Sequence, residues 1–227
     1  MTTDTPPAGL PLRERKKWRT RHTLVGTALR LFRQHGFAEV TLDRLCAEAE
    51  VSKRTFFRYF ASKEDVALHA EAELQEAFAR RLAAAAAEGP LLGVLRASLI
   101  AAIEEQSSSW EERFIAGRYL AARTPGLRDH STLSWYAAQS RVVEALEERL
   151  GADGREDVRL RMLGEFALAA WRCGVRNWVA SRGHGHGNRP GHGGRPELVR
   201  RIEEAFDALP AAVALTADTV HRPPPAL

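Results

Sequence analysis

The 227-residue sequence is short of the features that mark secreted, disulfide-linked and membrane proteins. It has two cysteines, and both fall in segments with helical apolar periodicity, which predicts reduced core residues rather than a disulfide. No apolar run approaches the roughly 18 residues of a membrane span. The first 11 residues lack the apolar stretch of a secretory signal. These absences predict a cytoplasmic protein with no membrane partner.

Strand patterns are scarce as well, because strand-like alternation never extends beyond a few positions. Apolar residues recur instead at spacings of three and four, and capping residues, glycines and prolines divide the chain into helical segments. We therefore predict an all-α fold of about nine helices. Their expected bounds are 12–35, 41–49, 52–60, 62–87, 91–106, 109–123, 124–150, 156–181 and 196–209.

Positive charge is concentrated at the start of the chain. Residues 1–60 hold 12 Lys and Arg against 6 Asp and Glu, a net charge of +6. The other 167 residues hold 21 against 23, a net charge of −2. This asymmetry favours a polyanionic partner for the N-terminal segment. A solvated basic segment without a partner fits the charge alone equally well.

Two short predicted helices, 41–49 and 52–60, are separated by a tight turn, which is the arrangement of a helix-turn-helix. The apolar members of the second helix are expected to face inward, so its polar members face outward. The outward side chains are Lys53, Arg54, Thr55 and Arg58. Arg54 and Arg58 are four residues apart and share a face, and arginine suits bidentate contact with guanine. A helical hairpin with a solvated basic face is the alternative.

The run Ala47-Glu-Ala-Glu-Val-Ser-Lys-Arg-Thr-Phe-Phe-Arg-Tyr-Phe-Ala-Ser-Lys-Glu-Asp65 resembles the DNA-binding signature of TetR-type regulators. The resemblance covers about residues 20–68 and implies a reading head on double-stranded DNA. It implies base-proximal positions at Lys53, Arg54 and Thr55, and backbone-proximal positions at Phe57, Tyr59 and Lys63. The full predicted DNA-contacting set is Thr41, Arg44, Ser52, Lys53, Arg54, Thr55, Phe57, Arg58, Tyr59 and Lys63.

Two residues in this run depart from the family pattern. Glu50 stands in the turn where glycine is usual, so a left-handed backbone there is expected to be strained or the turn altered. Phe57 stands where tyrosine is usual, which removes a hydroxyl that often meets phosphate. Arg58 is a candidate to compensate for that loss.

The segment before the run is strongly basic. Residues 13–21 carry six basic side chains in nine positions. Two interpretations stay open: the segment follows DNA phosphates or enters the minor groove, or it is a charged helix start that frays.

Residues 62–212 are expected to form a second domain for effector binding and dimerisation, after a helix-turn-helix domain at 12–61. A Gly- and His-rich flexible loop is expected at 182–195, and disordered tails at 1–11 and 213–227. The helix at 156–181 is apolar on more than one face, which predicts burial on two sides, one of them against a partner subunit. Predicted dimer-interface residues are Phe166, Trp171, Val175, Trp178, Leu198 and Ile202, with ordinary core as the alternative.

Aromatic residues gather in the middle of the chain, as a small-molecule pocket requires. The predicted effector-binding set is Trp110, Phe114, Arg118, Trp135, Tyr136, Gln139 and Trp171, and a filled core without a cavity is the alternative. The segments 12–17, 54–60 and 123–127 resemble the branch of the family that includes the mycofactocin repressor. That resemblance implies an effector like acyl-CoA or a lipid.

The sequence therefore predicts a homodimeric repressor that a small-molecule effector releases from a palindromic operator. It predicts no cofactor, and no enzyme, because no nucleophile–base pair, phosphate loop or carboxylate pair is visible. The alternative is a metal-responsive DNA-binding regulator that uses His184, His186 and His192, although glycine spacers leave these donors unorganised.

Overall fold

A computed structural model describes residue 9 and residues 11–86, 88–183 and 193–216. These residues contain helices and no strand, which confirms the predicted all-α class. The eleven helices are α1 (Leu12–His35), α2 (Leu42–Glu48), α3 (Lys53–Phe57), α4 (Lys63–Ala67), α5 (His69–Ala84), α6 (Leu91–Glu104), α7 (Trp110–Arg123), α8 (Pro125–Leu150), α9 (Val158–Gly183), α10 (Arg195–Asp207) and α11 (Leu209–Val213).

The predicted count of about nine helices was low by two among the described residues. The helix expected at 62–87 is divided into α4 and α5, because Leu68 has φ −106° and ψ 16° and departs from helical geometry. The second helix beyond the predicted count is α11, a five-residue helix that follows α10. The other expected bounds agree with the structure to within three residues.

The chain forms two compact units. The first comprises Met1–Arg81 and Ala101–Ala138, and the second comprises Leu82–Ile100 and Gln139–Leu227. The predicted domain boundary at residues 61–62 stays a prediction.

The first unit is built around the apolar stripe of α1. Leu24, Ala28, Leu31 and Phe32 are buried at spacings of four, three and one, with side chains from α2, α3 and α4 packed on them. At the end of α1, Gly36 has φ 84°, and the rings of Phe32 and Phe37 lie 4.9 Å apart. The packing of Phe37 on Phe32 turns the chain toward α2.

In the second unit, α10 packs closely along α9. The buried face of α10 consists of Leu198, Ile202 and Phe206. The approach is close because Gly174 of α9 lacks a side chain: a Cβ there would lie 2.8 Å from Ile202 Cγ1 and 2.9 Å from Ile202 Cα. Arg96 of α6 pairs with Asp207 at 2.6 Å, beside the C-terminal end of α10.

Two predictions concern residues at the margin of the described chain. The bounds 182–195 expected for the loop are wrong at both ends, since α9 continues to Gly183 and α10 begins at Arg195. His184, His186 and His192, and residues 217–227 of the predicted tail, lie outside the described residues. Of the helices described, none combines the length and apolarity needed to cross a bilayer.

Candidate nucleic-acid interface

Local hydrogen bonds set the geometry of the α2–turn–α3 unit. Thr41 caps α2 by accepting the Arg44 backbone N–H at 3.2 Å, and Ser52 caps α3 by accepting the Thr55 N–H at 3.1 Å. Both hydroxyls satisfy backbone donors that the first helical turn leaves free. The capping residues predicted for the DNA-contacting set therefore also fix where each helix begins.

The turn between the two helices is a Schellman motif with glutamate in the glycine position. Val51 N–H donates to Cys46 O, and Glu50 N–H donates to Ala47 O. This is the paired pattern of that helix ending, in which the C′ residue is left-handed. Glu50 occupies that position with φ 53°. Of the two expectations for Glu50, a left-handed backbone and an altered turn, the left-handed backbone is present.

The aromatic residues of α3 and the segment after it orient its exposed face. Phe56 is fully buried and Phe60 nearly so, with their ring centroids 5.9 Å apart. The side chains of Lys53, Arg54 and Arg58 are exposed, and Thr55 is half-buried. The predicted outward face is therefore confirmed for the three basic residues.

The exposed basic residues of this unit differ in whether a neighbouring side chain already pairs with them. Lys53 forms an ion pair with Asp43 at 2.6 Å, and this hydrogen bond raises the pKa of Lys53. Arg44 lies 2.8 Å from His35 Nε2. Arg54 makes no hydrogen bond or ion pair with another described residue. Arg54 is consequently the most available of the three cations for a bidentate base contact.

Phe57 leaves an apolar patch on the same face. Its side chain is 55% exposed, and its ring meets that of Phe56 edge-on at 5.4 Å. Next to it, the Arg58 guanidinium lies 5.0 Å from the Tyr59 ring centre. An exposed aromatic ring is able to make apolar contacts with the thymine methyl group or with deoxyribose, but it cannot hydrogen-bond a phosphate.

Lys63 has an intramolecular role that the sequence did not indicate. Its ammonium donates to Phe37 O and to Val40 O, each at 2.9 Å. These carbonyls belong to the loop between α1 and α2, so Lys63 ties α4 to that loop. The phosphate contact assigned to Lys63 stays a prediction.

The predicted effector-binding residues fall in both units. Trp110 and Phe114 are buried with rings 4.8 Å apart, whereas Tyr136 is exposed. Gln139 and Trp171 belong to the second unit and the other five to the first. Trp110 donates its indole N–H to Ala70 O at 2.8 Å, which gives it a structural role.

Arg118 and Trp135 meet at a buried carboxylate that sequence reasoning missed. Glu71 is 2% exposed and accepts hydrogen bonds from Arg118 Nη1, Ser131 Oγ and Trp135 Nε1, at 3.2, 2.6 and 3.0 Å. Three donors, one of them charged, satisfy the hydrogen-bonding capacity of this buried carboxyl group. The four-residue spacing of Ser131 and Trp135 is the signal that places both on one face of α8.

Most of the predicted dimer-interface residues are buried within the chain itself. Trp171, Val175 and Trp178 of α9 and Leu198 and Ile202 of α10 are each at most 4% exposed in the single chain. Helix α10 packs along α9 with Ile202 against Gly174, so the burial of these residues needs no second copy. Phe166, the sixth residue, is half-buried on another face of α9.

The histidine-based metal site has no counterpart among the described residues. No group of three or more His, Cys, Asp or Glu side chains in this part of the chain has a metal-binding arrangement. The three loop histidines lie outside it, so the metal-responsive alternative stays a prediction.

Two capped helices joined by a Schellman turn, with a buried aromatic face and an exposed basic face, define a helix-turn-helix DNA-binding protein. Comparison with known proteins identifies its group. Residues 24–70 match the family of bacterial regulatory proteins named tetR, and residues 89–188 match the MftR C-terminal domain. The chain belongs to the TetR family and is a transcriptional regulator.

Individual relatives agree with this assignment. The chain is 35% identical over 186 residues to the HTH-type transcriptional regulator TcmR of Streptomyces glaucescens, covering 78% of this chain and 82% of TcmR. It is 38% identical over 52 residues to the mycofactocin biosynthesis regulator MftR of Mycobacterium tuberculosis, covering 23% of this chain and 26% of that protein. A solved structure described as a transcriptional regulator, from Pseudomonas aeruginosa PAO1, shares the fold at 18% identity. Its TM-score is 0.52, and 91% of this chain and 95% of that chain are covered.

Proposed function

We propose that two copies of this chain bind a palindromic operator and that a small-molecule effector releases them. The observation that carries the proposal is the exposed face of α3, where Arg54 is unpaired among the described residues beside Lys53 and Arg58. In a dimer, two such faces about 34–36 Å apart enter successive major grooves of one side of the duplex.

The DNA-reading part is tested by gel shift on the region upstream of the protein's own gene. The double variant Arg54→Ala/Thr55→Ala removes one bidentate donor and one small polar contact. Since a good bidentate pair discriminates by about 1–3 kcal/mol, we expect operator affinity to fall roughly 5- to 150-fold. Arg155→Ala, at an exposed arginine of the second unit, is the matched control and should bind as the wild type does. Unchanged affinity of the double variant would show that α3 is not the reading helix.

An exposed apolar stripe on α9 supports dimerisation. Met162, Ala169 and Cys173 are exposed and Phe166 is half-buried, at spacings of three and four that put them on one face. The outer face of α10 is charged instead, with Arg200 and Arg201 paired to Glu197 and Glu204. A second copy covering the α9 stripe buries the apolar side chains of Met162, Phe166, Ala169 and Cys173. A copy covering α10 would instead have to desolvate these ion pairs.

Dimerisation is tested by light scattering coupled to size exclusion. Met162→Asp/Ala169→Asp places two carboxylates in the stripe, and we expect a monomer with weakened operator binding. Leu133→Asp, a similar change at an apolar residue 69% exposed in the first unit, should leave the dimer intact. If the double variant remains a dimer, the α9 stripe is not the interface.

We further propose an amphipathic thioester of the acyl-CoA type as effector. The match of residues 89–188 to the MftR C-terminal domain supports this class, because it extends the resemblance to that branch beyond the reading head. Moving the protein from 99% DNA-competent to 1% requires the effector to prefer the released state by about 5.5 kcal/mol. Palmitoyl-CoA should release the upstream DNA in a gel shift, whereas free CoA and palmitate should not. Release by Ni²⁺ instead would favour the metal-responsive alternative.

A further inference from the structure

A second basic surface adjoins the reading head, and the part that α1 contributes lies before the segment that matches the tetR family. The match begins at residue 24, whereas α1 begins twelve residues earlier, at Leu12. The first turns of α1 and the end of the reading helix together line a groove of about 750 Å³. Its polar lining includes Arg13, Lys16, Lys17 and Arg21 of α1, with Arg58 and Tyr59.

The cations of the groove lie on one face of α1 because of their spacing. Positions 13, 16, 17 and 21 are separated by three, one and four residues, which brings them to one side of a helix. Lys17 is paired with Glu14 at 2.8 Å. For Arg13, Lys16, Arg21 and Arg58, no carboxylate among the described residues lies within ion-pair distance. None of the residues that line the groove is acidic, so its concave surface is positively charged, and such a surface attracts polyanions.

The dimensions of the groove fit a nucleic-acid backbone. Residues 13–21 extend over about 12 Å of helix at 1.5 Å per residue. One DNA strand presents a phosphate every 3.4 Å of axis, so about three to four phosphates fall within that length. Arg58 and Tyr59 belong both to the groove and to the end of the reading helix segment. The groove is thus continuous with the surface that faces DNA.

We propose that this basic groove binds the sugar–phosphate backbone of the operator duplex beside the base pairs that α3 reads. The inference rests on the proposed DNA-binding function and adds a separate contact to it. The α1 cations hold phosphates and read no base edges, so they raise affinity for operator and random DNA alike. Of the two interpretations of residues 13–21, the groove favours the backbone-following one over a frayed helix start.

The test is the salt dependence of binding by the triple variant Arg13→Gln/Lys16→Gln/Arg21→Gln. Each lost phosphate contact lowers the slope of log K against log salt by about 0.9, so we expect a reduction of up to about 2.7. At 0.15 M salt, this corresponds to roughly 100-fold weaker binding. The ratio of operator to random-duplex affinity should stay unchanged. Glutamine keeps the helical propensity of these positions, and circular dichroism verifies that the variant is folded.

A matched control removes three positive charges from the second unit, in Arg155→Gln/Arg159→Gln/Arg200→Gln. Those arginines are exposed and paired with neighbouring carboxylates, and the control should keep the wild-type slope. Equal slopes for the triple variant and the control would overturn the proposal, and so would a loss confined to the operator.

This experiment tests the proposed backbone contact of the groove separately from the assignment of α3 as the helix that reads bases. A 40-base-pair random duplex reports phosphate contacts even when no operator is found, so an unchanged slope on that duplex rejects the groove by itself. Arg54→Ala/Thr55→Ala should lower the operator-to-random ratio while leaving most of the slope. In the mixed outcome, the triple variant lowers the salt-dependence slope on both duplexes while Arg54→Ala/Thr55→Ala keeps the wild-type ratio of operator to random-duplex affinity. That result would support the groove contact and reject α3 as the reading helix.

Discussion

The ammonium of Lys63 donates to the backbone carbonyl of Phe37 at 2.9 Å and stands 4.4 Å from the centre of the Phe37 ring. A second donation, to Val40 O, holds the other end of the same loop. One half-buried side chain thus connects the helix after the reading head to the loop that precedes it. The connection uses a cation–π contact and two charge-assisted hydrogen bonds.

Replacing Lys63 is therefore expected to destabilise the reading head. Lys63→Met keeps the length of the side chain and removes all three interactions. Because a hydrogen bond to a charged group contributes about 1.5–3 kcal/mol when buried and less when partly exposed, we expect the free energy of unfolding to fall by about 2 kcal/mol. Urea denaturation measures it. Lys53→Met, at an exposed ion pair, should cost under about 1 kcal/mol. Equal losses in the two variants would contradict the anchoring role.

The left-handed backbone at Glu50 offers a stabilising substitution. At φ 53° a side chain costs about 1–2 kcal/mol, whereas glycine adopts this region freely but loses more entropy on folding. We expect Glu50→Gly to raise the unfolding free energy by about 0.5–1 kcal/mol and the Tm by a few degrees. Glu144→Gly, in the exposed interior of α8, should instead lower it by about 1 kcal/mol. A decrease for Glu50→Gly would mean that Glu50 makes a stabilising contact in solution.

A buried histidine makes stability depend on pH. Burial lowers the pKa of His69 to about 3, with Arg21 and Arg113 adding to the effect. Glu73 opposes it from 3.5 Å, and the Phe60 ring packs edge-on at 5.2 Å. Because the unfolded chain binds a proton near pH 6.5 and the folded chain does not, the contribution of His69 is complete above pH 6.5. It is lost progressively as the pH falls toward 3.

Between pH 7.5 and 5.0 we expect His69 to account for about 2 kcal/mol of lost stability, since the slope is about 1.4 kcal/mol per pH unit below 6.5. Glutamine at position 69 stays neutral. The unfolding free energy of His69→Gln should therefore fall about 2 kcal/mol less than that of the wild type between pH 7.5 and 5.0. Parallel pH profiles for wild type and His69→Gln would show that the histidine is solvated.

Two glycines in helices give opposite expectations for the same substitution. Gly174→Ala places a Cβ 2.8 Å from Ile202 Cγ1 and 3.1 Å from Arg201 O, so α9 and α10 must separate, at a cost of about 1–3 kcal/mol. Gly93 of α6 has no atom within 4 Å of the added Cβ. Gly93→Ala should therefore stabilise by up to about 1 kcal/mol through helix propensity. Thermal unfolding followed by circular dichroism distinguishes them, and a stable Gly174→Ala would mean that the contact is loose in solution.

Short-range chemistry accounts for what the sequence predicted well. Thr41, Ser52 and Ser62 each accept a backbone N–H three residues later, so a hydroxyl and its neighbours suffice to locate a helix start. The outward face of α3 follows in the same way, because Phe56 and Phe60 must be buried.

The errors concern contacts between distant residues. The partners of Glu71 are 47 to 64 positions away, and nothing local to a glutamate on α5 indicates that three donors will surround it. The break at Leu68 is similar, since neither glycine nor proline marks it. Trp171 and Trp178, predicted for the dimer interface, are buried within the single chain. Periodicity cannot distinguish burial against another helix of the same chain from burial against a partner subunit, so the dimer interface stays a prediction.

The two cysteines differ in solvent exposure, and this difference has a practical consequence. Cys46 is buried, and burial raises the pKa of its thiol, whereas Cys173 is exposed on α9. A maleimide dye applied to the folded protein attaches at one position per chain without any engineering. Cys173 also belongs to the stripe proposed to meet a second copy. The speed of the labelling reaction, followed as the protein is diluted, then reports what fraction of the chains is paired.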